Sequence, residues 1–203
     1  MFLRYSVYFL IAGLYLSSSA PTPEDCQRLV KPLPLDDLTK MHGRWNFITG
    51  FTDHEMFDAI LKTVDSSWIL VKPSPSSNNT LIMAEENLIN GKCNSSTAIM
   101  TVAGDTVHVA HEDNTNSSFQ MLPACAECQL LLINSTVKEV DAPIRSLYML
   151  GRSSALEESH LETFRQQAEC LGFSQPPNFH YDPKKGSIPA AASRPLKGPG
   201  SRH

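Results

Sequence analysis

Short runs of apolar residues, many alternating with polar ones, recur through the middle of the chain, and polar turns close each of them. Residues 44–51, 64–71, 80–88, 97–102, 106–111, 119–122, 129–133 and 144–150 read as eight strands. The breaks between them have physical causes. Pro73-Ser74-Pro75 cannot extend a ladder, because proline has no amide hydrogen to donate. Asn90-Gly91 suits a two-residue hairpin, and Gly104-Asp105 marks the next turn. Two segments break the two-residue period. Residues 53–62 carry Met56, Phe57, Ile60 and Leu61 at near-helical spacing. Residues 156–171 set Leu156, Leu161, Phe164, Ala168 and Leu171 on one face at steps of three and four. Ser153 or Ser154 would cap that helix, Glu157 and Glu158 would sit in its first turn, and Gly172 would end it. Evenly spaced short strands predict an up-and-down antiparallel barrel or a sandwich. The lack of alternating helices argues against a parallel α/β sheet.

The first twenty residues follow a different pattern. Arg4 precedes an apolar run over residues 7–16, and Ser17-Ser18-Ser19-Ala20 supplies small side chains. These are the parts of a secretory signal peptide, cleaved after Ser19 or Ala20. The run is too short to span a bilayer, and no other long apolar run follows. A chain of 203 residues is enough for one domain with a sizeable core, placed here at residues 21–182. A secreted, extracellular product is expected.

Charge is uneven. The chain holds 17 basic and 21 acidic residues. Arg4 leaves with the leader, and Lys184, Lys185, Arg194, Lys197 and Arg202 lie in the last stretch. The body thus has 11 basic against 21 acidic residues, a formal charge of −10. An acidic body argues against nucleic acid or an anionic membrane as partner. Residues 183–203, basic and rich in Pro, Gly, Ser and Ala, read as a disordered tail. Four Asn-x-Ser/Thr sequons, at Asn78, Asn94, Asn116 and Asn134, fall outside the strand centres and point to a glycoprotein.

Gly43-Arg44-Trp45 opens the first strand, and Gly151-Arg152 follows the last. Gly43 permits a tight turn or a close approach. Trp45 places a large ring that needs a cover, and the Arg152 guanidinium can lie flat on an indole while bonding nearby carbonyls. With the eight strands and the cysteine-bearing helix, this order resembles a lipocalin. Further residues carry a resemblance to the orosomucoid-like branch, with alpha-1-acid glycoprotein, apolipoprotein M and the fish saxitoxin- and tetrodotoxin-binding proteins. They are Cys26 followed by Leu33-Pro34-Leu35, Gly91-Lys92-Cys93, His108-Val109-Ala110-His111, Ala168-Glu169-Cys170-Leu171-Gly172-Phe173 and Tyr181. The resemblance spans roughly residues 26–182. It implies an eight-stranded lipocalin barrel with the helix packed outside and residues 53–62 as a lid over the open mouth.

It also implies that Cys26 bonds Cys170, a bridge worth about 3–5 kcal/mol in the chain-entropy model. The branch's second bridge joins the position of Cys93 to a cysteine near the C-terminus, and this chain has none after Cys170. Cys93 is therefore expected to pair with Cys125 or Cys128, leaving one thiol free or bonded between molecules. Cys125-Ala126-Glu127-Cys128 also has the spacing of a redox or zinc site, with His108 and His111 as further ligands. Residues three apart on a strand face opposite ways, so no metal site and no cofactor are expected.

An eight-stranded barrel can hold one small ligand. Alternation picks Phe47, Phe51, Trp68, Met83, Met100, Met121 and Tyr148 as walls, with Phe57 in the lid. His108 is a polar handle or an interior histidine with its bonds satisfied. Glu55 at the mouth matches an acidic position in the family and would attract cations. The expected function is a carrier of small hydrophobic or amphipathic molecules, with lipophilic amines or guanidinium toxins as specific cases. A monomer is expected, or a disulfide-linked species through the leftover thiol. The competing readings are a barrel with a filled interior acting through protein contacts and a lipocalin-type isomerase. No cysteine lies between Gly43 and Val71 to serve such an isomerase, and no nucleophile–base spacing stands out.

Overall fold

The computed structural model describes residues 20–185, apart from 112–114, 139, 141, 174 and 175. Residues 1–19 of the expected leader and 186–203 of the expected tail lie outside the described residues. Eight strands, β1 (Gly43–Thr52), β2 (Val64–Pro73), β3 (Thr80–Ile89), β4 (Lys92–Ala103), β5 (Thr106–Ala110), β6 (Asn116–Leu122), β7 (Cys128–Thr136) and β8 (Ile144–Gly151), pair antiparallel in chain order. β8 then pairs with β1, and β1 with β2, which closes the barrel. The turns are set by residues that accept a positive φ. Asn90 (φ 48°) and Gly91 (φ 72°) join the paired residues Ile89 and Lys92, so β4 starts five residues before the expected boundary. Among the described residues the α-helices α1 (Pro23–Leu29), α2 (Glu55–Leu61) and α3 (Glu158–Cys170) lie outside the sheet. Thr22 and Asp25 form a capping box at α1, an element with no apolar stripe to announce it.

The seam of the barrel decides what faces inward. Only Gly43–Asn46 of β1 pair with β2. Further along, Thr49 and Gly50 pair with a two-residue strand, β9 (Phe179–His180), and the Tyr181 amide donates to Ile48 O at 2.8 Å. A bulge between Phe47 and Thr49 shifts the alternation by one. Trp45 and Phe47 belong to the inner cluster, whereas Phe51 lies in the outer one. Gly50 faces in, and a Cβ there would lie 2.7 Å from Phe47 and 2.8 Å from Tyr148. The missing side chain lets those two rings close over it, 4.7 Å between centroids, while Phe179 stacks on Phe47 at 4.4 Å.

The outer core joins α3 to the barrel. Phe51, Leu122, Leu130, Leu147 and Met149 pack against Phe164 and Ala168. The helix starts later than the serines suggested. Glu157 is its N-cap and makes no side-chain cap bond, while Ser153 Oγ bonds Ala155 O instead. Its end follows expectation: Gly172 has φ 78°, its amide bonds Glu169 O, and the Phe173 amide reaches back to Ala168 O. Cys26 and Cys170 are bonded, with Cα atoms 5.3 Å apart, which ties α1 to the end of α3. The other cysteines depart from expectation. Cys125 bonds Cys128, and Cys93 is free and exposed. The reason is local: Cys128 N–H donates to Cys125 O at 3.0 Å in the β6–β7 turn, which folds the pair together, while Cys93 stands outside on β4.

The floor is a stack of the two groups singled out in the sequence. The Arg152 guanidinium carbon lies 3.5 Å from the centroid of Trp45. Its nitrogens donate to Arg44 O at 3.0 Å and His42 O at 2.8 Å, and the indole N–H donates to Met41 O at 2.8 Å. Gly43 has φ 93°, and a Cβ there would meet Arg152 Nη1 at 2.9 Å, so both backbone and space require glycine.

Candidate ligand cavity

The interior above this floor is not filled. A cavity of about 440 Å³ lies between the walls and α2, a size suited to one small molecule. Its apolar wall includes Phe47, Ile69, Met83, Val109, Phe119, Leu131 and Leu150. Phe57, Ile60 and Leu61 of α2 cover it. α2 is tied to the C-terminal segment by Asn178 Nδ2, which donates to Asp58 Oδ1 at 2.9 Å, while its own C-cap Lys62 bonds Asp58 Oδ2 at 2.6 Å within the helix. Ile60 stays 49% exposed, so the lid also shows an apolar edge to solvent.

The polar groups stand on the same strands, displaced along them away from the floor. Glu85, Asn87, His111, Ser117, Ser135 and Ser146 border the cavity with Tyr148. Among the described lining residues Glu85 is the single carboxylate, and no lysine or arginine is present. Ser96 Oγ donates to Glu85 Oε2 at 3.2 Å, which leaves acceptor capacity on the carboxylate. Ser117 and Ser135 hydroxyls share a hydrogen bond at 2.9 Å. The Tyr148 phenol is pushed up to about 12. Burial is the main cause, the nearby Glu85 charge adds to it, and a hydrogen bond with Ser146 works the other way. It therefore stays a neutral hydroxyl at physiological pH. Among the described residues the arrangement offers an apolar slot with one carboxylate, one amide and several hydroxyls toward its open end.

The expected site residues divide. Phe47, Phe57, Trp68, Met83 and Tyr148 border the cavity. Trp68 is the exception in facing: the register sets it opposite Asn46 and Glu86, and its ring lies 4.4 Å from the Arg44 guanidinium. Phe51 does not line the cavity: the β1 bulge turns it outward onto Phe164. Met100 and Met121 belong to the inner core but are packed away from the cavity. Glu55, in the first turn of α2, is exposed. His108 is also exposed, since Val107 and Val109 take the inward positions of β5. The residue that lines the cavity is His111. Nor do the histidines meet the Cys pair, because Cys128 pairs with Gly151 at the floor end while His111 borders the cavity. Glu85 was missed although it was readable: it stands two residues beyond Met83, which was already assigned to the wall.

The chain matches the ApoM domain family over residues 1–184. It belongs to that family, an apolipoprotein M-like branch of the lipocalins. Solved lipocalins share the fold at low identity. Lipocalin 12 from rat epididymis is 13% identical with a TM-score of 0.61, covering 76% of this chain and 89% of its own. The siderocalin Ex-FABP, described as having dual ligand specificities, is 12% identical with a TM-score of 0.55, covering 66% and 89%. The bovine allergen Bos d 2 is 12% identical with a TM-score of 0.54, covering 68% and 89%. No curated protein matches the sequence significantly. Family and fold together support a lipocalin-type carrier of small ligands. Among the described residues no helix is long and apolar enough to cross a membrane.

Proposed function

We propose that this protein is a secreted glycoprotein carrier for small amphipathic molecules bearing a cationic head, with lipophilic amines the best fit. The observation that carries this reading is Glu85, the one carboxylate among the described residues lining an apolar slot, whose described lining holds no lysine or arginine. An alkyl or aryl body rests on Phe47, Met83 and Phe119, and the amine faces Glu85 and the Tyr148 hydroxyl. Glu85 is half-buried, and a unit-charge pair about 4 Å apart near a protein surface attracts by roughly 4 kcal/mol, before desolvation, at an effective dielectric constant near 20. This moves the cation-attracting role from Glu55 on the surface to Glu85 inside. Guanidinium compounds fit the same carboxylate but leave more of the apolar wall unused. Binding changes no covalent bond.

Secretion and glycosylation are supported by the leader pattern and by the sequons. Asn78, Asn94, Asn116 and Asn134 are all exposed. Loss of mass on enzymatic deglycosylation of the secreted product checks this. The ligand reading is tested by fluorescence or calorimetric titration with a lipophilic amine and its neutral isostere. Glu85→Gln lowers amine affinity at least about tenfold, which corresponds to 1.4 kcal/mol, and leaves the neutral compound unchanged. Equal amine affinity in Glu85→Gln and wild type would refute it.

A further inference from the structure

The Cys-x-x-Cys turn is not used by the cavity, and the structure gives it a neighbour that the sequence did not. His160, in the first turn of α3, brings a ring nitrogen close to both sulfurs: the three ligand atoms of Cys125, Cys128 and His160 all lie within 4.8 Å of one another. This closeness comes from two separate elements that are tightly located. The turn is folded by the Cys128 amide on Cys125 O, and the Arg152 amide donates to Glu127 O at 3.0 Å. The helix is tied to the same turn, because Gln167 Nε2 donates to Pro123 O at 2.7 Å as well as to Leu29 O at 2.8 Å. Positions 160, 164, 167 and 168 form one helical stripe, and Phe164, Gln167 and Ala168 are buried. His160 therefore extends the barrel-facing stripe toward the sulfurs. Cys128 is buried and Cys125 and His160 are half-buried, so the site is sheltered yet reachable.

We propose that Cys125, Cys128 and His160 form a zinc site whose occupancy excludes the Cys125–Cys128 disulfide. Two thiolates and one imidazole are a preferred zinc donor set, and three protein ligands leave the fourth tetrahedral position for water. Zn–S bonds of about 2.3 Å and Zn–N bonds of about 2.0 Å put ligand atoms roughly 3.5–3.8 Å apart. Once the disulfide is reduced, the two sulfurs part to about 3.8 Å and the His160 nitrogen closes by up to about 1 Å, both within the reach of side-chain rotation. Entry into the metal state requires a dithiol or equivalent reductant. Its thiolate attacks one sulfur of the Cys125–Cys128 bond, and its second thiol resolves the mixed disulfide. Two electrons and two protons pass to the cysteines, and the reductant leaves as a disulfide. Zinc then displaces both thiol protons. The oxidised form staples the turn to itself, whereas the metal form clamps the turn to α3.

The test uses the full secreted chain with Cys93→Ser, which removes the competing free thiol. After mild reduction that leaves Cys26–Cys170 intact by peptide mapping, cobalt(II) is titrated and then displaced with zinc. The expected result is a thiolate-to-cobalt charge-transfer band that zinc abolishes. His160→Gln should weaken zinc binding by more than the roughly 10–100-fold that loss of a supporting residue costs. A second variant needs no reductant: Cys125→His cannot form the bond and keeps three ligand positions. It binds zinc, and adding His160→Gln removes that binding. The proposal is overturned if the reduced protein shows no cobalt band, or if His160→Gln leaves affinity unchanged in both backgrounds.

Discussion

Arg152→Ala tests the claim that the barrel is sealed by a guanidinium on an indole. The substitution deletes two charge-assisted hydrogen bonds, to Arg44 O and His42 O, and the contact with the Trp45 ring. Each such bond is worth about 1.5–3 kcal/mol, and the ring contact about 0.5–2 kcal/mol. Once the guanidinium is gone, water reaches the two carbonyls and recovers part of the loss. The net cost is then about 3–4 kcal/mol, near the lower end of the summed range. For a domain of this size that lowers Tm by roughly 6–16 °C, read by calorimetry with the disulfides intact. Arg152→Lys keeps the charge but not the planar fork, so it restores less than half of the loss. Gly43→Ala is the companion: alone it is strained by both φ and the contact with Arg152 Nη1, and in the Arg152→Ala background only the φ strain remains. A fall below 2 °C for Arg152→Ala, or full rescue by lysine, would refute the floor argument.

Four further outcomes follow from the same structure. Phe51→Ala costs about 3–5 kcal/mol, because its ring is fully buried against Phe164, but leaves amine affinity unchanged, as thermal melts and titration together will show. Gly50→Ala forces the Phe47 and Tyr148 rings into the slot; about 1–3 kcal/mol of stability is lost, and ligand affinity falls in the titration. Tyr148 has its folded pKa raised above the ordinary value of 10.0, to about 12. Its stabilising contribution is thus full below pH 10 and is lost as pH rises through 12; Tyr148→Phe removes that part of the alkaline slope in denaturation curves. Cys26→Ser opens the bond between α1 and α3 and lowers stability by about 5 kcal/mol in the chain-entropy model, measured by denaturant melts.

The strands were readable because proline, glycine and asparagine mark their ends, and α3 because its apolar stripe is regular. The directions of side chains were less so. Strict alternation carries Phe47 and Phe51 to the same face, and the bulge in β1 separates them. A bulge depends on the partner strand, so its position is not written in local pattern. β5 shows the opposite case: alternation alone puts Val107 and Val109 on the inner face and His108 on the outer one. Glu85 needed only the parity of Met83. The cysteine pairing could not be read, since three leftover thiols fit several partners and the turn geometry that chose Cys128 for Cys125 appears only in three dimensions. β9 carries two residues and no periodicity at all.

The Cys26–Cys170 link joins residues 144 positions apart, and Arg152 reaches back to carbonyls at positions 42 and 44. On a ribosome the first four residues of β1 can pair with β2 early, but the stretch beyond Asn46 must wait for β8 and β9 to emerge. The hairpins from β2 to β7 can zip up in order as they appear, while the far half of β1 and the helix before it lack their β8, β9 and α3 partners. The seam therefore closes only after residue 180 has been made, and until then the open edge of β1 is free to pair with the wrong chain.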